Sequence, residues 1–297
     1  MGNTIKSGKE VLPYLAEIYQ QLYLVPGPEA EQEYPKIVLE GQDAGTKDLS
    51  HFRMNAEDSL ELEETPAGSV QVVTLYERQD FERFIQIMAN KCAAVEIPAT
   101  QGAAILDGVI NWQKIRTHKD EWFQAQRQAG IFLPDWAEEF KRFTSVKRNY
   151  TDALIILSTG PYSNISADAL GLDPALWLER SYAIRKFHEC THFLCRREYP
   201  ELIDPIWDEV IADAVGICGA FGRYDREMAD VFLGVTDSGY TGGRLENYMK
   251  DKEELPETAR RVQDVIRKIS SLEQEHRGLA PFDLAVLLEE QKKEWWG

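Results

Sequence analysis

Long apolar runs are missing from this chain. No stretch reaches the length of a transmembrane helix, and the opening residues MGNTIKSGKE lack the apolar segment of a signal peptide. These absences set the expectation of a cytoplasmic protein with no membrane partner. Gly2 does not complete a myristoylation pattern, because Lys6 stands where Ser or Thr is needed and Ser7 comes one place late. Basic charge is scarce too, with 33 Lys and Arg against 50 Asp and Glu and a net charge of −17. So acidic a surface repels phosphate backbones and anionic lipid, which argues against nucleic acid as well as membrane. Cysteine is limited to Cys92, Cys190, Cys195 and Cys218, none in a CxxC pair, and reduced thiols are the simplest reading. Histidine is scarce as well, at 5 in 297 residues, so any ordered grouping of histidines carries information.

What is present is a chain with 43% hydrophobic residues and ample aromatics, enough for a real core. Residues 1–68 read as an irregular N-terminal region: an amphipathic segment EVLPYLAEIYQQLYLV, then an acidic, turn-rich stretch from Pro26 to Gly68. Residues 69–297 read as the functional domain with a C-terminal helical part. In it SVQVVTLY predicts a strand. The spacing of Phe81, Phe84, Ile85 and Met88 predicts a helix. IPATQGAAILDGVINWQKI reads as a close-packed helix, residues 118–148 as mostly helix, and DALIILS at 152–158 as the clearest strand. Asp173-Pro174 marks a helix start that runs through HECTH, and a second helix is expected over about residues 205–222. The fold class is therefore α+β, mainly helical, with a small sheet.

The chemistry concentrates in His188-Glu189-Cys190-Thr191-His192. Residues four apart on a helix sit nearly one above the other, so both imidazoles can grip one metal ion. Glu189, turned about 100° from His188, can reach a water at that ion without binding it. With so few histidines, HExxH arises by chance on the order of once in a hundred such chains. A metal needs a further ligand, and WDEVIADAVG offers Glu209 with Asp213 four residues on, one carboxylate for the metal and one to stand behind a histidine.

His188-Glu189-x-x-His192 followed by Glu209-x-x-x-Asp213 resembles the gluzincin metallopeptidases, in particular the thermolysin-like pattern, over about residues 175–220. The resemblance implies a zincin-like active-site helix pair and a Zn2+ cofactor held by His188, His192 and Glu209. It also implies Glu189 as general base, Asp213 as the orienting partner of His188, a peptide or protein substrate, and DALIILS as an edge strand able to pair with that substrate. Sixteen residues separate His192 from Glu209, a tight connection. A metzincin-like alternative would put glycine at 195 and a ligand at 198, where Cys195 and Glu198 stand. Cys195 could itself be weighed as a thiolate ligand, but Glu209 is the stronger candidate.

Further along, SGYTGGRLENY at 238–248 brings Tyr240 and Arg244 into view as substrate or oxyanion contacts, against the plainer reading of a turn and helix start. GPYSN at 160–164 is a turn whose Tyr162 could rim a cleft. The function expected is a zinc-dependent metallohydrolase cleaving amide bonds. The alternatives are a zinc-stabilised binding protein without catalysis, or a metal-dependent hydrolase of non-peptide substrates.

Overall fold

The computed structural model describes residues 3–297 and is α+β, mainly helical, with 57% of the chain in helices. Gly2, and with it the position weighed for myristoylation, lies outside the described residues. The chain divides into two compact units. The first holds the chain up to Leu62, Gln71–Pro98 and Ala104–Ser158, and the second holds Glu63–Val70, Ala99–Ala103 and Thr159–Gly297. This division is not the one drawn at residue 68.

The first unit holds β1 (Asn3–Ser7), α1 (Val11–Ile18), α2 (Pro28–Val38), α3 (Arg78–Met88), α4 (Trp112–Gln128), α5 (Trp136–Thr144) and β5 (Thr151–Ser158), together with most of β2 (Ser59–Thr65), β3 (Gly68–Leu75) and β4 (Ala103–Ile110), whose remaining residues count with the second. The strands form a mixed sheet in the order β1-β2-β3-β5-β4, with β1 antiparallel to β2 and β3 parallel to β5. Leu12, Leu15, Phe81, Phe84, Leu154 and Ile156 are buried together as part of its core. The helical spacing read in α3 thus marks the face that packs inward.

Three expectations change here. The N-terminal residues are not irregular, since they supply β1, β2, α1 and α2, and Leu12 and Leu15 are core residues. The stretch read as one helix from Ile97 to Ile115 is instead β4 followed by the start of α4. Gly108 at φ +77° cannot continue a helix, and Asn111 caps the new one by accepting from the Gln113 and Lys114 amides. Finally, DALIILS forms β5 as expected but not at an edge. It lies between β3 and β4, and its run of six buried residues suits a strand covered on both faces.

The second unit contains α6 (Pro174–Glu198), α7 (Pro205–Phe221), α8 (Arg226–Leu233), a short hairpin of β6 (Val235–Thr236) and β7 (Gly239–Tyr240), α9 (Leu255–Glu275) and α10 (Pro281–Trp295). Both leading helices begin where sequence signals placed them. Asp173 accepts from the Ala175 and Leu176 amides ahead of Pro174, and Asp204 accepts from the Ile206 and Trp207 amides ahead of Pro205. Glycines let α6 and α7 come close: a Cβ at Gly216 would stand 2.9 Å from the Ile184 carbonyl oxygen, and one at Gly219 would run into the Phe187 ring. Helix α10 packs on both, burying Leu284 and Leu288. No helix among the described residues is long and apolar enough to cross a membrane.

Candidate metal centre

HECTH lies mid-helix in α6 and Glu209 near the start of α7, so the close approach of the two helices decides whether the three side chains meet. They do. One ligand atom from each of His188, His192 and Glu209 falls within a sphere in which all lie within 4.8 Å of one another. The two Nε2 atoms are 2.9 Å apart, with Glu209 Oε2 3.5 Å from His188 Nε2 and Glu209 Oε1 3.4 Å from His192 Nε2.

The hydrogen bonding behind the rings decides what those Nε2 atoms offer. The Tyr162 hydroxyl donates to Asp213 Oδ1 at 2.7 Å, which uses its only hydrogen. Its contact with His188 Nδ1 at 2.9 Å must then run the other way, with Nδ1–H donating to the phenol oxygen. His188 is therefore the Nδ1–H tautomer, and its Nε2 carries a lone pair. On His192, Nδ1 stands 2.8 Å from Asp208 Oδ2; burial opposes protonation of the ring, but Asp208 and Glu209 outweigh it and raise its pKa, so in the metal-free protein Nε2 also carries a hydrogen. The His188 Nε2 lone pair and the Glu209 carboxylate thus converge on one positive centre, the Nε2 proton of His192, and a metal ion that displaced this proton would meet three donors.

The donor set fits a metal. Ligand atoms about 2.0–2.1 Å from a tetrahedral zinc ion lie about 3.3–3.4 Å from one another, and the three separations here bracket that figure. Glu209 Oε2 is buried without a hydrogen bond of its own, with only His188 Nε2 at 3.5 Å and Arg244 Nη1 at 3.7 Å nearby, and it would be free to take a ligand position. Burial alone would raise the Glu209 pKa. The hydrogen bond from His192, the two imidazoles and Arg244 outweigh it and hold the carboxyl well below the usual range, so it is ionised. The side chain of Glu209 keeps 16% of its surface exposed against 5% for each histidine, so the cluster is open on the Glu209 side.

Around this core, the other residues singled out in the sequence divide. Asp213 is buried behind His188, its Oδ1 3.0 Å from Nδ1, and Arg244 Nη2 bonds both its oxygens. Burial opposes ionisation of Asp213, but Arg244 and His188 lower its pKa. Arg244 also reaches within 3.7 Å of Glu209 Oε2. Glu189 is half-buried on α6 beside His188 and makes no hydrogen bond or ion pair with a described residue, so its carboxylate is uncommitted. Tyr240 stays with its own loop, its hydroxyl donating to the Gly243 carbonyl and accepting from the Gly243 amide, both at 2.9 Å. The competing ligands do not join: Glu198 is exposed, and Cys195, whose thiol burial pushes well up, lies outside the group.

Sequence reasoning left out Asp208 and Tyr248 and treated Tyr162 as a rim residue. Tyr248 stands beside Glu209, and burial first, then Glu209 and Asp213, keep its phenol protonated. A carboxylate directly before Glu209 was the one available signal for Asp208.

Residues 8–283 match a family described as a family of unknown function, DUF7005, and the chain belongs to that family. No curated protein and no solved structure matches it.

Proposed function

We propose that this protein is a zinc-dependent metallohydrolase of gluzincin-like design that cleaves amide bonds in a peptide or protein substrate, in the cytoplasm. The observation that carries the reading is the convergence of His188 Nε2, His192 Nε2 and Glu209 at 2.9–3.5 Å, with Glu209 Oε2 lacking any hydrogen-bond partner. Two imidazoles and one carboxylate are a set that leaves a fourth position for substrate or water, whereas structural zinc is usually enclosed by cysteine and histidine. Four unpaired cysteines suit a reducing compartment.

Zinc bound there supplies Lewis-acid polarisation of a carbonyl and makes water acidic enough to lose a proton near neutral pH. Glu189 accepts the proton of the attacking water and returns it to the leaving nitrogen. Asp213 and Asp208 hold the two imidazoles with their Nε2 atoms inward. Arg244 keeps Asp213 ionised and sits close enough to Glu209 to hold it so as well.

The test combines metal analysis with a panel of peptide and small-amide substrates, each with and without chelator. About one zinc per chain is expected, lost in the His188→Ala, His192→Ala variant. Glu189→Gln should keep the zinc and lower kcat by at least about 100-fold, the size of a general-base contribution. Full activity in Glu189→Gln would remove the mechanism, and absence of zinc uptake would remove the whole reading. Turnover of non-peptide amides alone would redirect the substrate assignment.

A further inference from the structure

The residue that holds a metal-binding histidine is expected to be Asp213, by its helical spacing from Glu209. The geometry points elsewhere. We infer that the Tyr162 hydroxyl is the positioning group of His188, standing between the imidazole and Asp213, so that the carboxylate acts on the ring through the phenol. The inference rests on the zinc reading given above.

The chain of hydrogen bonds has one consistent direction. His188 Nδ1–H donates to the Tyr162 oxygen at 2.9 Å, the Tyr162 O–H donates to Asp213 Oδ1 at 2.7 Å, and Arg244 Nη2 donates to the same oxygen at 2.5 Å. Asp213 Oδ1 is 3.0 Å from His188 Nδ1, but the hydrogen bond of good geometry at that nitrogen is the one to Tyr162. Reversing the Tyr162 hydroxyl would leave Asp213 without a 2.7 Å donor and would set the Nδ1 lone pair against a carboxylate oxygen. The arrangement therefore favours hydrogen on Nδ1, the tautomer that leaves Nε2 free for a metal ion.

The surroundings are built to hold that phenol. Tyr162 is buried, and its backbone amide donates to the Ser181 hydroxyl of α6 at 2.9 Å. The two residues after it, Ser163 and Asn164, adopt left-handed conformations at φ +52° and +57° and turn the chain sharply behind the phenol. The ring packs on Phe232 with centroids 4.9 Å apart, and the Arg244 guanidinium lies 5.0 Å from its centroid.

Zinc affinity reads the inference directly, by competition with a chromophoric chelator on the full chain. Tyr162→Phe keeps the ring and removes only the hydroxyl. It should bind zinc about 10- to 100-fold more weakly than the unaltered protein, the usual effect of losing a partner behind a metal ligand. Circular dichroism should be unchanged. Histidine nitrogen NMR on the zinc-free protein adds a readout that a merely structural role would not move: the Nδ1–H signature of His188 should be sharp in the parent and mixed with Nε2–H in Tyr162→Phe. Equal zinc affinity and an unchanged tautomer in a folded Tyr162→Phe would overturn the inference and return the role to Asp213 alone. Should that variant fail to fold, Ser181→Ala loosens the backbone that aims the phenol. A several-fold weaker affinity there supports the role, and an unchanged affinity overturns it. A parent protein that takes up no zinc would overturn this inference together with the function it rests on, so the two failures are told apart by the parent alone.

Discussion

Asp208 shows how a single side chain can escape a motif. It precedes Glu209 on α7, and the turn of about 100° between neighbouring helix positions sends the two carboxylates in different directions. Glu209 faces both Nε2 atoms, while Asp208 comes within 2.8 Å of His192 Nδ1. Each histidine thus has its own carboxylate, one reached through Tyr162 and one directly. Asp208→Asn preserves shape and removes charge, so it should weaken zinc binding about tenfold without displacing α7. Chelator competition measures this, and unchanged affinity would make the Asp208 contact incidental. HECTH and ExxxD were legible because helical spacing alone brings their residues to one face. Tyr162 was not, being 26 residues from His188 on a turn whose purpose shows only in three dimensions. Arg244 drew notice through the glycines before it, and the reason is now physical: a Cβ on Gly243 would strike the backbone of Gly234. The same glycines brought Tyr240 into view, and its hydroxyl serves the loop itself.

Among the elements, the ones with explicit end signals were read correctly. The Asp-Pro pairs at 173–174 and 204–205 cap α6 and α7 as capping chemistry requires. β4 was misread because small residues and leucine suit a helix by propensity, while Gly108 and the Asn111 cap decide against it. β5 was read as a strand, but strand order depends on partners far along the chain, which composition does not encode. The spacing of α6 and α7 is the element-level property on which the centre depends. Gly216→Ala tests it, because two effects oppose each other there. Alanine improves helix propensity by about 1 kcal/mol. The added Cβ, 2.9 Å from the Ile184 carbonyl oxygen, forces backbone apart at a cost of about 1–3 kcal/mol. Packing should win, lowering the melting temperature by a few degrees and weakening zinc binding as Glu209 moves from the histidines. A variant that melts higher than the parent would show that the helices have room to spare.

At the scale of the whole molecule, the proposed ligands and the residues behind them all belong to the second unit, since Tyr162, His188, His192, Asp208, Glu209, Asp213 and Arg244 fall within Thr159–Gly297. A ligand that binds only folded protein stabilises it by RT ln(1 + [L]/Kd), about 2.7 kcal/mol at a hundredfold excess over Kd. Calorimetry with and without zinc should therefore raise the unfolding transition that contains the second unit, and chelator should reverse it. The net charge of −17 supplies a competing explanation, because any divalent cation screens so acidic a chain. Magnesium separates the two. It prefers oxygen ligands in an octahedral shell and gains little from two imidazoles, so it should give only the screening part of the shift. The pH dependence has a definite sign as well. Histidines must be deprotonated to bind, so the zinc-specific gain should shrink as pH falls from 8 to 6, whereas screening of carboxylates would hardly change over that range. A gain that is equal for both metals and flat with pH would mean that the histidine pair holds a proton and not a metal ion, and that the buried polar cluster between α6 and α7 serves only to join two packed helices.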